Sequence, residues 1–238
     1  MSKQQANSID PEILAHESLT QQIAAFTAAA EQRLPSGYID SFGALVARLK
    51  NEGVGYCTPV VGAEFPDFEL HDDGGNNVRA SDYWGRRTLI IKFYRGGWCP
   101  YCNLELKALQ KHQPDFELLN AEVFAIAPEK STALIETKAK AAANFRFLWD
   151  NDNKLARRLG ISFAVGNEVK DIYGKLGLDL LEINGAWELP VPATFVVRDG
   201  RLKYRFLDAN YLERQDPAEL IAWLKTDAAI NRAGALNG

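Results

Sequence analysis

The chain is poor in the residues that build secreted scaffolds and metal sites: three Cys, three His and one Met in 238 residues. So few cysteines, odd in number, exclude the disulfide framework of a small secreted domain. His16, His71 and His112 are scattered, without the paired spacing of metal ligands. No apolar run approaches the ~18–20 residues that cross a bilayer. The opening MSKQQANSIDPE has no apolar stretch of the secretory kind, so a cytoplasmic location is expected. Charge of one sign is also missing. Lys and Arg number 27 against 31 Asp and Glu, a net charge of -4, so nothing suggests nucleic acid or a disordered charged tail.

What is present is apolar residue, 47% of the chain, enough for one sizeable core. Residues 1–12 are polar and read as loose. Leu19, Ile23, Phe26 and Ala30 recur at helical spacing, and so do Ile39, Phe42, Leu45, Val46 and Leu49, with Gly53 as a stop. These two helices read as an N-terminal helical extension, residues 1–55, packed on the main domain or on a second subunit of a homodimer. From residue 56 to 238 strands and helices alternate. Thr88–Tyr94 and Ala121–Ala127 are buried strands. Helices are expected over 100–113, bent or ended by Pro114, and over 131–144 and 154–159. Arg146–Trp149 is a short strand, and 161–190 reads as an insertion. Ala193–Val197 and Leu202–Leu207 flank the turn Asp199-Gly200. Asp216-Pro217-Ala218-Glu219 opens the last helix, with Asp216 as cap and Glu219 closing a capping box. This order implies an α/β fold, a central mixed sheet flanked by helices.

The chemistry lies in Trp98-Cys99-Pro100-Tyr101-Cys102. Pro100 suits the first helical position and makes Cys99 the cap. Unpaired N–H groups and the positive dipole end then face its sulfur and favour thiolate. Cys102 lies one turn along the same face, so the two sulfurs can close a disulfide with little backbone movement. An attacking sulfur at an exposed helix end and a resolving sulfur behind it suit thiol–disulfide exchange. Half of a zinc site, an iron–sulfur ligand set and a purely structural pair are the competing readings. Cys57 reads as a small buried side chain, or else as a second resolving thiol. Trp98 and Tyr101 suit either the core or an apolar contact surface for a partner. Arg95 is the nearest cation in sequence, and Pro192 opens a strand.

Several segments carry a resemblance. Val61–Leu70, Ser81-Asp82-Tyr83-Trp84-Gly85, Phe93-Tyr94-Arg95-Gly96-Gly97-Trp98-Cys99-Pro100-Tyr101-Cys102, Phe147–Asp150, Pro192–Val197, and Asp208-Ala209-Asn210-Tyr211 with Arg214 and Pro217 resemble the alkyl hydroperoxide reductase/thiol-specific antioxidant family. Within it the chain is similar to peroxiredoxin-like members that carry a CxxC. The resemblance implies a thioredoxin-like fold and an antioxidant thiol peroxidase without a cofactor. Cys99 would reduce a hydroperoxide and become a sulfenic acid, and Cys102 would condense with it to a disulfide. Thioredoxin or glutathione would restore both thiols.

The pattern departs from the family at two places. Where peroxiredoxins have Pro-x-x-x-Thr-x-x-Cys, this chain has Lys92 and Gly96. Where they place a late-strand Arg against the sulfur, it has Pro192. There it resembles thioredoxins, whose cis-proline lies beside the CxxC. A protein or glutathione disulfide oxidoreductase is therefore the alternative enzyme, and a non-enzymatic redox sensor the reading of another class. Peroxide reduction is expected to be slow unless the N–H groups of Gly97 and Trp98, or an Arg95 folded back over Cys99, replace the missing donors.

Overall fold

The computed structural model describes residues 9–236, so residues 1–8 of the polar opening stretch lie outside the described residues. Residues 11–14 are not loose: Asp10 accepts from the N–H of Glu12 and caps a short helix α1, Pro11–Leu14. The two amphipathic patterns form α2, Leu19–Glu31, and α3, Ser36–Asn51. Ser18 and Gln21 close a capping box on α2. The backbone then runs through a hairpin, β1 Glu69–Asp72 and β2 Asn77–Arg79, into β3, Thr88–Phe93.

The elements that follow are α4 Pro100–Lys111, α5 Gln113–Leu118, β4 Ala121–Ala127, α6 Ser131–Ala141, β5 Arg146–Trp149 and α7 Lys154–Arg158. Pro114 lies in the first turn of α5, where its missing N–H costs nothing. The segment read as an insertion is ordered as β6 Ser162–Ala164, α8 Asn167–Lys175, α9 Leu180–Asn184 and β7 Glu188–Pro190, with β6 and β7 paired. The chain ends on β8 Ala193–Arg198, β9 Arg201–Leu207 and α10 Pro217–Leu236.

The main sheet has the order β2-β1-β5-β4-β3-β8-β9. β3, β4 and β5 are parallel neighbours, and β1, β2, β8 and β9 add antiparallel pairs on either side. This is the mixed, helix-flanked sheet expected of the thioredoxin-like α/β fold. Side chains alternate across β3. Leu89, Ile91 and Phe93 enter one core with Leu45 and Leu49 of α3 and Val169 of α8. Ile90 and Tyr94 enter the other, which holds Cys99, Cys102 and Leu106 of α4 and Leu220 and Leu224 of α10. The same parity puts Lys92 on the α4 side.

α2 packs on α4, and α3 on α8. The N-terminal helices therefore cover their own chain. One residue ties this cover to the C-terminal helix. Asp216 accepts from the N–H of Ala218 through Oδ1 and from the N–H of Leu19 through Oδ2. It thus caps α10 and α2 together. Glu219 does not complete the expected box; its carboxylate accepts from Gln215 instead.

Candidate active site

The strand–loop–helix joint places the CxxC as local chemistry dictates. Cys99 has extended backbone at the N-cap of α4, and Pro100 is in the first turn. The approach is shaped by Gly96, whose φ of +144° an L side chain rarely adopts. Glu129 organises the loop from below. It accepts from the Gly97 N–H at 2.8 Å, the Tyr94 hydroxyl at 2.7 Å and the Thr137 hydroxyl at 2.9 Å. Burial pushes its carboxyl up, and these donors oppose the rise. The Gly97 N–H is thus spent inside the fold and is not a donor for peroxide oxygen.

Neither sulfur is exposed. Cys99 and Cys102 are both 0% accessible, which corrects the exposed attacking sulfur expected at a helix end. The reason is the cover. Trp98, Tyr101 and Tyr211 form half-buried walls, and Tyr173 of α8 packs on Trp98 with ring centroids 5.3 Å apart. Phe26 of α2 meets Tyr101 edge-on at 5.2 Å, and Phe42 of α3 meets Tyr211 at 5.8 Å and Tyr173 at 5.9 Å. Trp98 and Tyr101 therefore serve as core.

Arg95 folds back over the attacking position. Its Nη2 donates to Cys99 Sγ at 3.0 Å, and its guanidinium lies 4.4 Å from the Tyr211 ring and 5.5 Å from that of Trp98. Its Nε and Nη1 are buried with no protein acceptor. Burial pushes the Cys99 thiol up. The hydrogen bond with Cys102 and the Arg95 and Arg214 guanidiniums outweigh it and hold Cys99 well below the ordinary thiol value. Cys102 moves the other way, raised by burial and by its neighbour Cys99. One thiolate and one thiol at the N-terminus of α4 can attack in turn.

Pro192 is buried just before β8, but among the described residues no peptide bond is cis. The cis-proline expected from the thioredoxin resemblance is therefore not formed. Cys57 is exposed, not buried, so its thiol stands apart from the closed pair. Among the described residues no cluster of three or more His, Cys, Asp or Glu is arranged to hold a metal ion.

Sequence reasoning missed the deepest part of the site. Below Cys102, Lys92 Nζ meets Glu105 Oε1 at 2.5 Å, and Arg214 Nη1 meets Glu105 Oε2 at 2.5 Å. Two signals were available: a lysine inside the apolar strand 88–94, and a carboxylate three residues after Cys102, hence on its helix face. Tyr173 gave no signal. It lies in the segment that read as an insertion.

A sequence model of the AhpC/TSA family matches residues 61–205. The chain belongs to the AhpC/TSA family. A Mycobacterium tuberculosis protein that carries the peroxiredoxin name is 31% identical over 142 residues, covering 59% of this chain and 80% of that protein. Peroxiredoxin Bcp of Bacillus subtilis is 29% identical over 114 residues, 48% of this chain and 72% of that one. The crystal structure of peroxidoxin BcpB from M. tuberculosis superposes with a TM-score of 0.55 at 17% identity, covering 70% of this chain and 96% of the other. That likeness speaks for the thioredoxin-type fold of the AhpC/TSA family. The family match includes Cys99, Cys102 and Arg95 but ends before Tyr211 and Arg214, and it begins after α2 and α3.

Proposed function

We propose that this AhpC/TSA protein is a CxxC thiol peroxidase in which Cys99 reduces a hydroperoxide and Cys102 resolves the product. The Cys99 thiolate attacks the terminal peroxide oxygen, the O–O bond breaks, and the alcohol or water leaves after taking a proton. Cys99 is then a sulfenic acid. Cys102 attacks its sulfur, hydroxide leaves and is protonated to water, and the Cys99–Cys102 disulfide remains. The observation that carries this reading is the Arg95–Cys99 contact at 3.0 Å inside a closed aromatic cage. A guanidinium whose Nε and Nη1 are buried and unpartnered supplies donors for the oxygens on which charge develops. These donors stand in for the Thr and late-strand Arg that the chain lacks. Trp98, with Tyr211, seats the Arg95 guanidinium, and Gly96 and Gly97 allow the close approach of backbone, so they serve as supporting residues.

In this closed form no folded partner, disulfide substrate or protein reductant, reaches either sulfur. Reduction of the product disulfide therefore requires the cover to open. Thioredoxin or glutathione in a cytoplasmic setting is the donor we propose. The helices before residue 56 are proposed as an appendage to the family core, which the match beginning at residue 61 supports. The test compares hydroperoxide consumption, driven by a thioredoxin or glutathione system, with reduction of insulin disulfides by the same preparation. Peroxide turnover lost in Cys99→Ser, with negligible insulin reduction, is expected. Efficient insulin reduction without peroxide turnover overturns the reading.

A further inference from the structure

The side chains of Lys92, Glu105 and Arg214 are 2%, 2% and 1% exposed. Two cations here share one carboxylate, so the cluster carries an excess positive charge where water cannot screen it. Such a charge is costly unless an anion meets it. The nearest group able to become one is Cys102: Nη1 and Nη2 of Arg214 both lie 3.7 Å from its sulfur. Lys92 is also tied to Thr194 at 3.3 Å, and Arg214 Nε donates to the Tyr211 carbonyl at 2.7 Å. The fork is thereby fixed in place.

We propose that Arg214, braced by Glu105 and Lys92, is the catalytic cation of the resolving step, the counter-ion that holds Cys102 as a thiolate while it attacks the oxidised Cys99. This rests on the peroxidase reading and names the machinery of its second half. Cys102 is faced by Arg214, Arg95 and Lys92, and on the acidic side by Glu105 and Glu129, with Cys99, Tyr94 and Tyr173 around it.

In the reduced protein, burial and the neighbouring Cys99 keep Cys102 protonated. A sulfenic acid on Cys99 is neutral, so the repulsion between the two sulfurs disappears. The attraction of Arg214 and Arg95 remains. Cys102 thus becomes a nucleophile after Cys99 has been oxidised, and its proton goes with the departing hydroxide as water. Disulfide formation removes the thiolate, whereas the reduced pair carries one on Cys99, which Arg214 also holds, and this favours reduction of the bond.

The loop between β9 and α10 organises both halves. Tyr211 stacks on the arginine of Cys99, Arg214 reaches Cys102, and Asp216 caps α10 and the covering helix α2. This loop lies beyond the family-matched segment.

The experiment mixes reduced protein with excess hydrogen peroxide in a stopped-flow instrument and follows tryptophan fluorescence, assigning the phases by mass spectrometry of quenched samples. In Arg214→Met, Glu105 and Lys92 remain a balanced pair. The first phase, Cys99 oxidation, is expected to slow less than the second, because Arg95 stays on Cys99 and only the more distant hold of Arg214 on it is lost. Disulfide formation is expected to slow at least tenfold, with over-oxidation of Cys99 rising. Arg214→Lys, which keeps the charge, is expected to recover part of the second rate and serves if the first variant does not fold. A redox titration against glutathione is expected to favour the disulfide at least tenfold in Arg214→Met, ~30 mV for a two-electron couple. An unchanged second phase with an unchanged titration overturns the proposal, and so does equal slowing of both phases. Absence of any peroxide phase in the wild type overturns the peroxidase reading itself and this inference with it.

Discussion

Replacing Arg95 by methionine removes the guanidinium from Cys99 while keeping a long apolar side chain against Tyr211 and Trp98, the two rings that flank it. The lost contact is a 3.0 Å hydrogen bond to a buried thiolate. Hydrogen bonds to charged groups contribute about 1.5–3 kcal/mol, or roughly ten- to a hundredfold in rate if realised in the transition state. Loss of an oxyanion donor adds to this, since one such donor is worth on the order of 3 kcal/mol. The second-order rate of Cys99 oxidation by peroxide should fall by roughly a hundredfold or more. Arg95→Lys should recover little, because an ammonium lacks the planar fork.

The same change should leave a signature in stability. The thiolate of Cys99, held below the ordinary value, contributes stability that is complete above the unfolded thiol value of ~8.5 and is lost as pH falls through the folded value. Wild-type stability to urea should therefore rise with pH across that window, relative to Cys99→Ser, and the rise should flatten in Arg95→Met. Cys102 is shifted the opposite way and acts above the window. A folded Arg95→Met protein with an unchanged oxidation rate and an unchanged pH slope would refute the assignment.

In Cys102→Ser, Cys99 should still be oxidised and should stop at a sulfenic acid trapped by a dimedone-type reagent. Normal turnover in that variant would move the resolving role to the exposed Cys57. Phe26→Ala with Phe42→Ala should open the cover, raising the rate of alkylation of the reduced pair at least tenfold; an unchanged rate would mean that α2 and α3 do not gate the site. Gly97→Ala would place a Cβ 1.9 Å from Thr137 Oγ1. Overpacking of that kind costs about 1–3 kcal/mol, read as a lowered Tm, and a wild-type Tm would show that α6 yields without cost.

The features legible in the sequence are those written in local periodicity and in helix ends. Leu19, Ile23 and Phe26, and then Phe42, Leu45 and Leu49, repeat every three to four residues, so α2 and α3 were readable before any partner was known. Pro100 after Cys99 determines the start of α4, and three residues of helix bring Cys102 to the same face. What surrounds the sulfurs was decided by tertiary structure. Arg214 lies 112 positions from Cys102 and reaches it only because the loop after β9 folds under α4. Tyr173 enters from the segment that read as an insertion. The burial of Cys99 depends on two aromatic rings from helices that sequence could attach to this subunit or another. The isomer at Pro192 was likewise open until the fold made it trans. Local sequence sets which face of an element is apolar. Which charged groups meet across the core depends on how those faces pack, because a buried cation is tolerated only where a distant anion is delivered to it.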